Sequence, residues 1–493
     1  MKGTSKSSWR ARALRTLPIV AVGVVSLGAM LFGQKNSVQP QPQADKLAQI
    51  TPPTRGAGGR GAPPAPEGVM PNVPAGFTII KYADMPSPRT MVYAPNGDLF
   101  VASTATSTIR VFRDANNDGT FEAQGVYAQA AAPAGRGGGG GFGGGRGQGA
   151  APPPQPDLAE LATKVNAAPG VNLAINGPIY GAAAPACTPA PAFQPGPGGP
   201  PNQPFGMAFQ GGYFYVANTG NVVRYKYANG DMQAQGEPEK IADLPAGGNH
   251  FTRNLIFNRA GTKFYVAVGS NSNNNAGEDC RRAAILEFNP DGSGMRIFAS
   301  GIRNPVGLAL QPGTDIVWTA INERDQLGDD LVPDYATSVK DGGFYGWPYS
   351  YIGKNPDPRY VGAFPELVNR AIVPDVLIPA HSAALGITFY TGTQFPQRFR
   401  NGGFVALHGS WNRSVAAGYR VIFFPMNNGR PGPIEDFTSG FLSSDGTNGT
   451  PITAWGRPVG VTVAPDGGLL ISDDTGNKIW KVSAAAAGAR RGN

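Results

Sequence analysis

An all-β fold, a six-bladed β-propeller, is predicted by three features of this 493-residue chain. One hairpin-like unit recurs six times, the copies spread from residue 89 to residue 474, and helical periodicity is nearly absent between them. Each unit is an apolar strand, a Gly-containing turn and a second apolar strand. The copies are RTMVYAPNGDLFVAS from Arg89, PFGMAFQGGYFYVAN from Pro204, RNLIFNRAGTKFYVAVG from Arg253, PVGLALQPGTDIVWTAIN from Pro305, LGITFYTGTQFPQRFRNGGFVALHG from Leu385 and PVGVTVAPDGGLLISDD from Pro458. Most continue into a third strand: STIRVFRD, NVVRYKYANGD, AAILEFNPDGS, YRVIFFPMNNGR and NKIWKVS. Radial repetition leaves few open strand edges, whereas a pair of β-sandwiches does not repeat one hairpin six times.

The elements outside the repeats follow in order. Five basic residues, from Lys2 to Arg15, precede the apolar run LPIVAVGVVSLGAMLFG, so residues 1–34 read as a signal peptide or membrane anchor. Residues 35–68 are a Pro/Gln/Gly-rich tether, and 69–485 form the propeller. The globular part is therefore expected outside the cytoplasm, periplasmic or held to the membrane through its N-terminus. Residues 131–201 form a Gly/Pro-rich low-complexity insertion expected to be disordered, in which only Pro156–Ala168 has helical spacing. Residues 486–493 are a basic tail.

The net charge of +8 sits in these appendages: residues 1–68 alone hold nine Lys or Arg against two acids. The propeller is left slightly acidic, so no basic face for nucleic acid is implied. The two cysteines, Cys187 and Cys280, either form one disulfide from insertion to core or stay separate thiols. There is no C-x-x-C-H haem motif, so electron carriage by this chain itself is excluded for that class.

In a propeller the first strand of each blade lines the central channel, and a residue just before it sits at the channel mouth. Those positions hold Arg89; Asn202 and Gln203; His250 and Arg253; Arg303 and Asn304; His381 and Ser382; and Arg457. A ring of basic and amide groups suits an anionic ligand, so Arg303 and Asn304 are expected to be ligand contacts rather than fold elements. Of the three histidines, His250 follows a Gly-Gly pair and is the candidate base; His381 fits packing and strand-capping equally well, and His408, at the end of an apolar strand, is open to either reading. They are too dispersed for a zinc signature.

The acidic loop NERDQLGDDLVPDY, with Glu323, Asp325, Asp329, Asp330 and Asp334, is either a hard-cation site or a charge-paired surface loop. DANNDG, from Asp114, resembles the start of a calcium loop but has Gly125 at the twelfth position, so a polar hairpin turn is expected. Tyr345 and Trp347, between glycines, either stack on a planar ligand or bury a blade edge. The G-x-G-x-x-G in the Gly-rich tract has no strand before it, which rejects a dinucleotide site.

Taken in order, HFTRNLIF, GIRNPVGLAL, WTAINERDQLGDD, GGFYGWPYS, SAALGITFYTGTQFP and PVGVTVAPDGGLL resemble the soluble quinoprotein sugar dehydrogenases, the pyrroloquinoline-quinone (PQQ)-dependent glucose, aldose and sorbosone enzymes, with the sorbosone branch the nearest. The resemblance implies a six-bladed propeller holding PQQ and calcium at the channel mouth. It implies oxidation of a sugar hemiacetal or aldehyde to lactone or acid, with a separate electron acceptor. By motif, His250 matches the base, Arg303 and Asn304 a cofactor-contacting pair, and Arg457 a carboxylate-binding arginine. Arg413 stands in for a lysine at the cofactor, and Asp325 and Gln326 fall where calcium is ligated. The sequence departs from the glucose enzymes at Ser270, where they orient the base with Asp, and at Val459, where they have a second arginine. A metal-dependent sugar lactonase and a non-catalytic binding propeller are the competing readings.

Overall fold

The computed structural model describes residues 66, 68–116, 118–130 and 196–485. The signal or anchor, most of the tether, nearly all of the insertion and the basic tail lie outside them, as does Cys187; Cys280 is disulfide-bonded. Among the described residues no helix is long and apolar enough to cross a membrane.

Six sheets, each with a four-stranded antiparallel core, make up the six blades expected from the repeat; blade 2 gains a fifth outer strand at Gly196–Pro197 and blade 3 one at Gly343–Phe344, the latter parallel. Blade 1 is Met91–Tyr93, Leu99–Ser103, Thr108–Arg113 and Ala123–Gln129; blade 2 is Gly206–Gln210, Tyr213–Ala217, Asn221–Lys226 and Glu239–Asp243. Blade 3 is Leu255–Phe257, Phe264–Val268, Ala284–Phe288 and Arg296–Ser300; blade 4 is Asn304–Leu310, Val317–Asn322, Asp334–Ser338 and Val376–Ile378. Blade 5 is Ala384–Phe389, Gly403–Leu407, Arg420–Phe424 and Glu435–Thr438. Blade 6 takes Pro458–Val463, Leu469–Asp473 and Lys478–Ala484 from the end of the chain and Phe77–Asp84 from its beginning, paired from Phe77↔Ala484 to Asp84↔Lys478. This last pairing closes the ring. Phe77 also anchors it by edge-to-face contacts with Phe395, Phe399 and Phe437 at 4.8–5.3 Å.

The first strand of every blade touches the first strands of both neighbours, so the six form an unbroken inner ring. In four blades the sequence pattern explains this closeness. Phe205-Gly206, Val306-Gly307, Leu385-Gly386 and Val459-Gly460 place a large apolar residue directly before a glycine. Those four apolar side chains pack on one another as a buried cluster, while the glycines leave room for the neighbouring backbone. Val459 thus belongs to this plug. The chain enters each first strand, and leaves each second strand, at the same end of the ring, so that end collects the polar residues described next.

A Cβ on Gly386 would lie 2.5 Å from the carbonyl oxygen of Val459 and 3.0 Å from the Cα of Gly460, both backbone atoms that cannot swing aside. Gly386→Ala is therefore expected to destabilise the propeller by about 1–3 kcal/mol, measured by denaturant unfolding.

Candidate functional site

The site is built on the loop before blade 3 and on the loops joining second to third strands in blades 3, 4, 5 and 6. Gly247 and Gly248, both at positive φ, turn the chain of GGNHF back toward the mouth. Two buried arginines hold the turn. Arg253 donates to the carbonyls of Pro245 (2.7 Å), His250 (2.8 Å) and Thr252 (2.8 Å), and Arg282 donates to Gly247 (2.6 Å) and Ala246 (2.8 Å). Arg253, one of the arginines expected at the mouth, is thus a brace under His250.

His250 Nδ1 lies 2.7 Å from the carbonyl oxygen of Ser270 and 3.0 Å from its hydroxyl. The hydroxyl donates its own proton to Ser272 O at 2.6 Å, so both Ser270 oxygens face Nδ1 as acceptors. Nδ1 therefore carries the hydrogen, and Nε2 keeps its lone pair. Burial, followed by the Arg303 charge, pushes the imidazole down to about 3 and keeps it neutral. Gly269 makes this contact possible: a Cβ there would lie 2.6 Å from His250 Cβ and would also strike Asn304 Oδ1.

Beside it, Asn304 is buried and its Oδ1 has no hydrogen-bond partner among the described residues. Arg303 meets the surrounding loops rather than open space. It donates to Asn273 O (3.0 Å), Asn273 Oδ1 (2.9 Å), Asn322 O (3.3 Å) and Glu323 O (2.7 Å), and lies 3.6 Å from Asp325 Oδ2. The guanidinium expected to face a ligand thus has a protein partner at each of its nitrogens in this structure, and its charge also acts on His250. Asp325 Oδ1 is taken by His381 Nδ1 (3.2 Å) and Asn412 Nδ2 (2.9 Å). Burial alone would raise this carboxyl, but the His381 bond and the Arg303 charge win and hold it below the usual range. Gln326 adopts φ +76° and accepts weakly from Asn273 Nδ2 (3.5 Å). Arg413 ties the blade-5 loop to the acidic loop, donating to Asp329 O (2.5 Å) and Asp330 Oδ1 (3.0 Å).

On the blade 5, blade 6 and blade 1 side of the mouth lies a second group. Asp474 accepts from Arg89 NH1 (2.6 Å) and lies 2.9 Å from His408 Nε2. Arg457 donates to His408 O (2.9 Å) and Gly409 O (2.6 Å) and stacks over Tyr419 at 5.4 Å. Arg89 lies over Phe205 at 5.5 Å, and its buried Nε has no hydrogen-bond partner among the described residues. Burial, then Arg457, lowers His408 to about 4, while His408 and Arg89 overcome burial and hold Asp474 well below the carboxylate range.

Two sequence readings resolve toward packing. Tyr345 and Trp347 are buried, donating to Ser338 O (2.7 Å) and Asn273 O (3.0 Å), so they brace the site from within rather than stack on a ligand. In the DANNDG loop the Asp114 carboxylate accepts from the amides of Asp118 and Gly119, as a polar turn requires. Sequence reasoning missed Asn273, Arg282 and Asp474. Asp474 carried a signal, since SDD ends the second strand of its repeat at the same end of the blade as the other polar residues.

The arrangement so far defines a propeller with a basic, His-bearing mouth. The family described as Glucose / Sorbosone dehydrogenase matches residues 215–410, and one described as TrAA12-like matches 368–485. An uncharacterized protein of Borreliella burgdorferi is 32% identical over 239 residues, 47% of this chain and 60% of its own length. Aldose sugar dehydrogenase YliI of Escherichia coli is 29% identical over 166 residues, 30% of this chain and 43% of its own. The chain thus spans about half the length of these relatives. The holo PQQ domain of pyranose dehydrogenase from Coprinopsis cinerea shares the fold, with TM-score 0.59 and 19% identity over 85% of this chain and 98% of that one. The chain is accordingly similar to the soluble PQQ-dependent glucose and aldose dehydrogenases, as its motifs indicated; the sorbosone branch is not singled out.

Ser270→Ala is expected to leave the His250 tautomer in place, because the 2.7 Å carbonyl contact survives, whereas Gly269→Ala should displace it; ¹⁵N-histidine spectra distinguish the two. A pH effect follows from the same groups. Folded His250 and His408 protonate only near pH 3 and 4, and their unfolded counterparts near 6.5, so the unfolded state binds more protons in between and stability falls on acidification below pH 6.5. His250→Gln and His408→Gln should each flatten the thermal-midpoint profile between pH 4 and 6.5.

Proposed function

We propose that this chain is a PQQ-dependent sugar dehydrogenase that oxidises the hemiacetal or aldehyde carbon of an aldose to the lactone or acid. The observation that carries the reading is His250: a neutral imidazole whose Nδ1–H is fixed by Ser270 and whose Nε2 lone pair is left as a base at a basic channel mouth.

The residues present fit an anionic, carbonyl-bearing ring. Among the described residues, Arg89 Nε and Asn304 Oδ1 are buried polar atoms without a hydrogen-bond partner, and Arg457 NH1 has none either. Arg89 and Arg457 would hold carboxylates, and Asn304 Oδ1 would accept from an N–H or O–H. Bound there, the quinone supplies the two-electron acceptor. His250 Nε2 removes the hydroxyl proton as hydride leaves the carbon, and so avoids a high-energy cationic product. Arg303 and Arg413 act through charge and loop placement. Calcium at Asp325 and Gln326 remains part of the proposal, but these residues fit it only in part: Asp325 Oδ1 is occupied and Oδ2 faces Arg303, so no step is derived through a metal. Electrons leave to a separate acceptor, and export is read from residues 1–34.

A lactonase needs carboxylates converging on a metal, but Asp325 and Asp474 are each turned to cationic or amide donors. A purely scaffolding propeller would gain no thermal stability from the quinone.

The test is an absorbance titration of the purified apo-protein with PQQ, with and without calcium, followed by dye reduction with a panel of aldoses. Saturable uptake and sugar-dependent reduction are expected; absence of both rejects the reading. His250→Gln should lower turnover by about 10²–10⁴-fold while still taking up the quinone. Arg457→Ala should weaken uptake itself.

A further inference from the structure

Oxidation of a sugar alcohol carbon to a carbonyl breaks one O–H and one C–H bond and forms one C=O bond, releasing two electrons and two protons. His250 accounts for the proton of the hydroxyl. The second proton leaves the carbon with the electron pair and stays in the site when the electrons pass to an external acceptor such as a dye, from where it passes to a base or to water. We propose that His408, backed by Asp474 and Arg89, is that base, taking the second proton on Nδ1. This rests on the reading of the site as a sugar-oxidising centre and adds a catalytic residue to it.

The geometry is that of a base in a fixed tautomer. Asp474, ionised by its 2.6 Å contact with Arg89, accepts the Nε2–H of His408 at 2.9 Å. The lone pair is thereby placed on Nδ1, which has no hydrogen-bond partner among the described residues, and the side chain keeps 17% exposure. The ring is anchored through its own backbone, because Arg457 donates to the carbonyls of His408 and Gly409. The charged groups facing it are Arg89 from blade 1 and Arg457 and Asp474 from blade 6. Burial, then Arg457 and to a smaller degree Arg89, keeps the free base neutral; Asp474 stabilises the imidazolium once formed. His250 and His408 thus present two neutral imidazoles from different blades, one locked through Nδ1 and the other through Nε2.

Three histidines make the ligand-free protein accessible to ¹⁵N-histidine NMR. His408 is expected to stay neutral with its proton on Nε2 above pH 5, and Asp474→Asn, which preserves shape, is expected to remove that tautomer preference. Titration of His408 near pH 6.5 without response to Asp474→Asn would overturn the dyad. The PQQ-loaded protein is then followed by rapid mixing in two halves. His408→Asn, with folding checked by thermal midpoint, should slow dye-driven reoxidation by about 10²-fold and abolish its solvent deuterium isotope effect, while slowing sugar-driven reduction far less. His250→Gln should show the reverse. Normal reoxidation in both His408→Asn and Asp474→Asn sinks the inference and leaves the enzymatic reading intact; no reduction by any sugar in the unaltered protein sinks both.

Discussion

Pairing of Phe77–Asp84 with Lys478–Ala484 is the constraint on which the molecule depends. It completes blade 6, joins the beginning of the described chain to its end, and closes the inner ring between Met91–Tyr93 and Pro458–Val463. Arg89 and Asp474 lie 385 residues apart in sequence, yet meet at 2.6 Å because of this closure. Without it the arginine would be an unpaired charge on a loose hairpin and Asp474 would lose one of the three groups that keep it ionised.

The ring also separates structural from chemical duties. Below the mouth, Phe205, Val306, Leu385 and Val459 close the axis with apolar contacts, and the adjacent glycines bring the first strands together. At the mouth, the arginines divide into two kinds. Arg253, Arg282 and Arg303 end on backbone carbonyls and hold loops, so their cost of burial is offset by several hydrogen bonds each. Arg89 and Arg457 keep part of their guanidinium uncommitted. Residue type alone makes the five equivalent, and only their partners tell them apart.

A common logic governs the imidazoles. Each has one nitrogen fixed by an acceptor, Ser270 O for His250 and Asp474 for His408, and each is kept neutral mainly by burial. A main-chain carbonyl does for His250 what a carboxylate does for His408. This explains how Ser270 can stand where the glucose enzymes are expected to have an acid: orientation needs an acceptor, and the backbone supplies it.

By itself the sequence determined the six-fold repeat, the strand order within each blade, the end of the ring at which polar residues gather, and His250 as a candidate residue at that end, because periodicity and strand-start position are local properties of the chain. Tertiary structure decided what those residues touch. That Arg303 faces Asn273 and Glu323, that Trp347 props Asn273, and that His408, Asp474 and Arg89 form one unit all depend on contacts between loops of different blades. Such contacts are set by ring closure and loop packing over tens to hundreds of residues, and no spacing in the sequence encodes them.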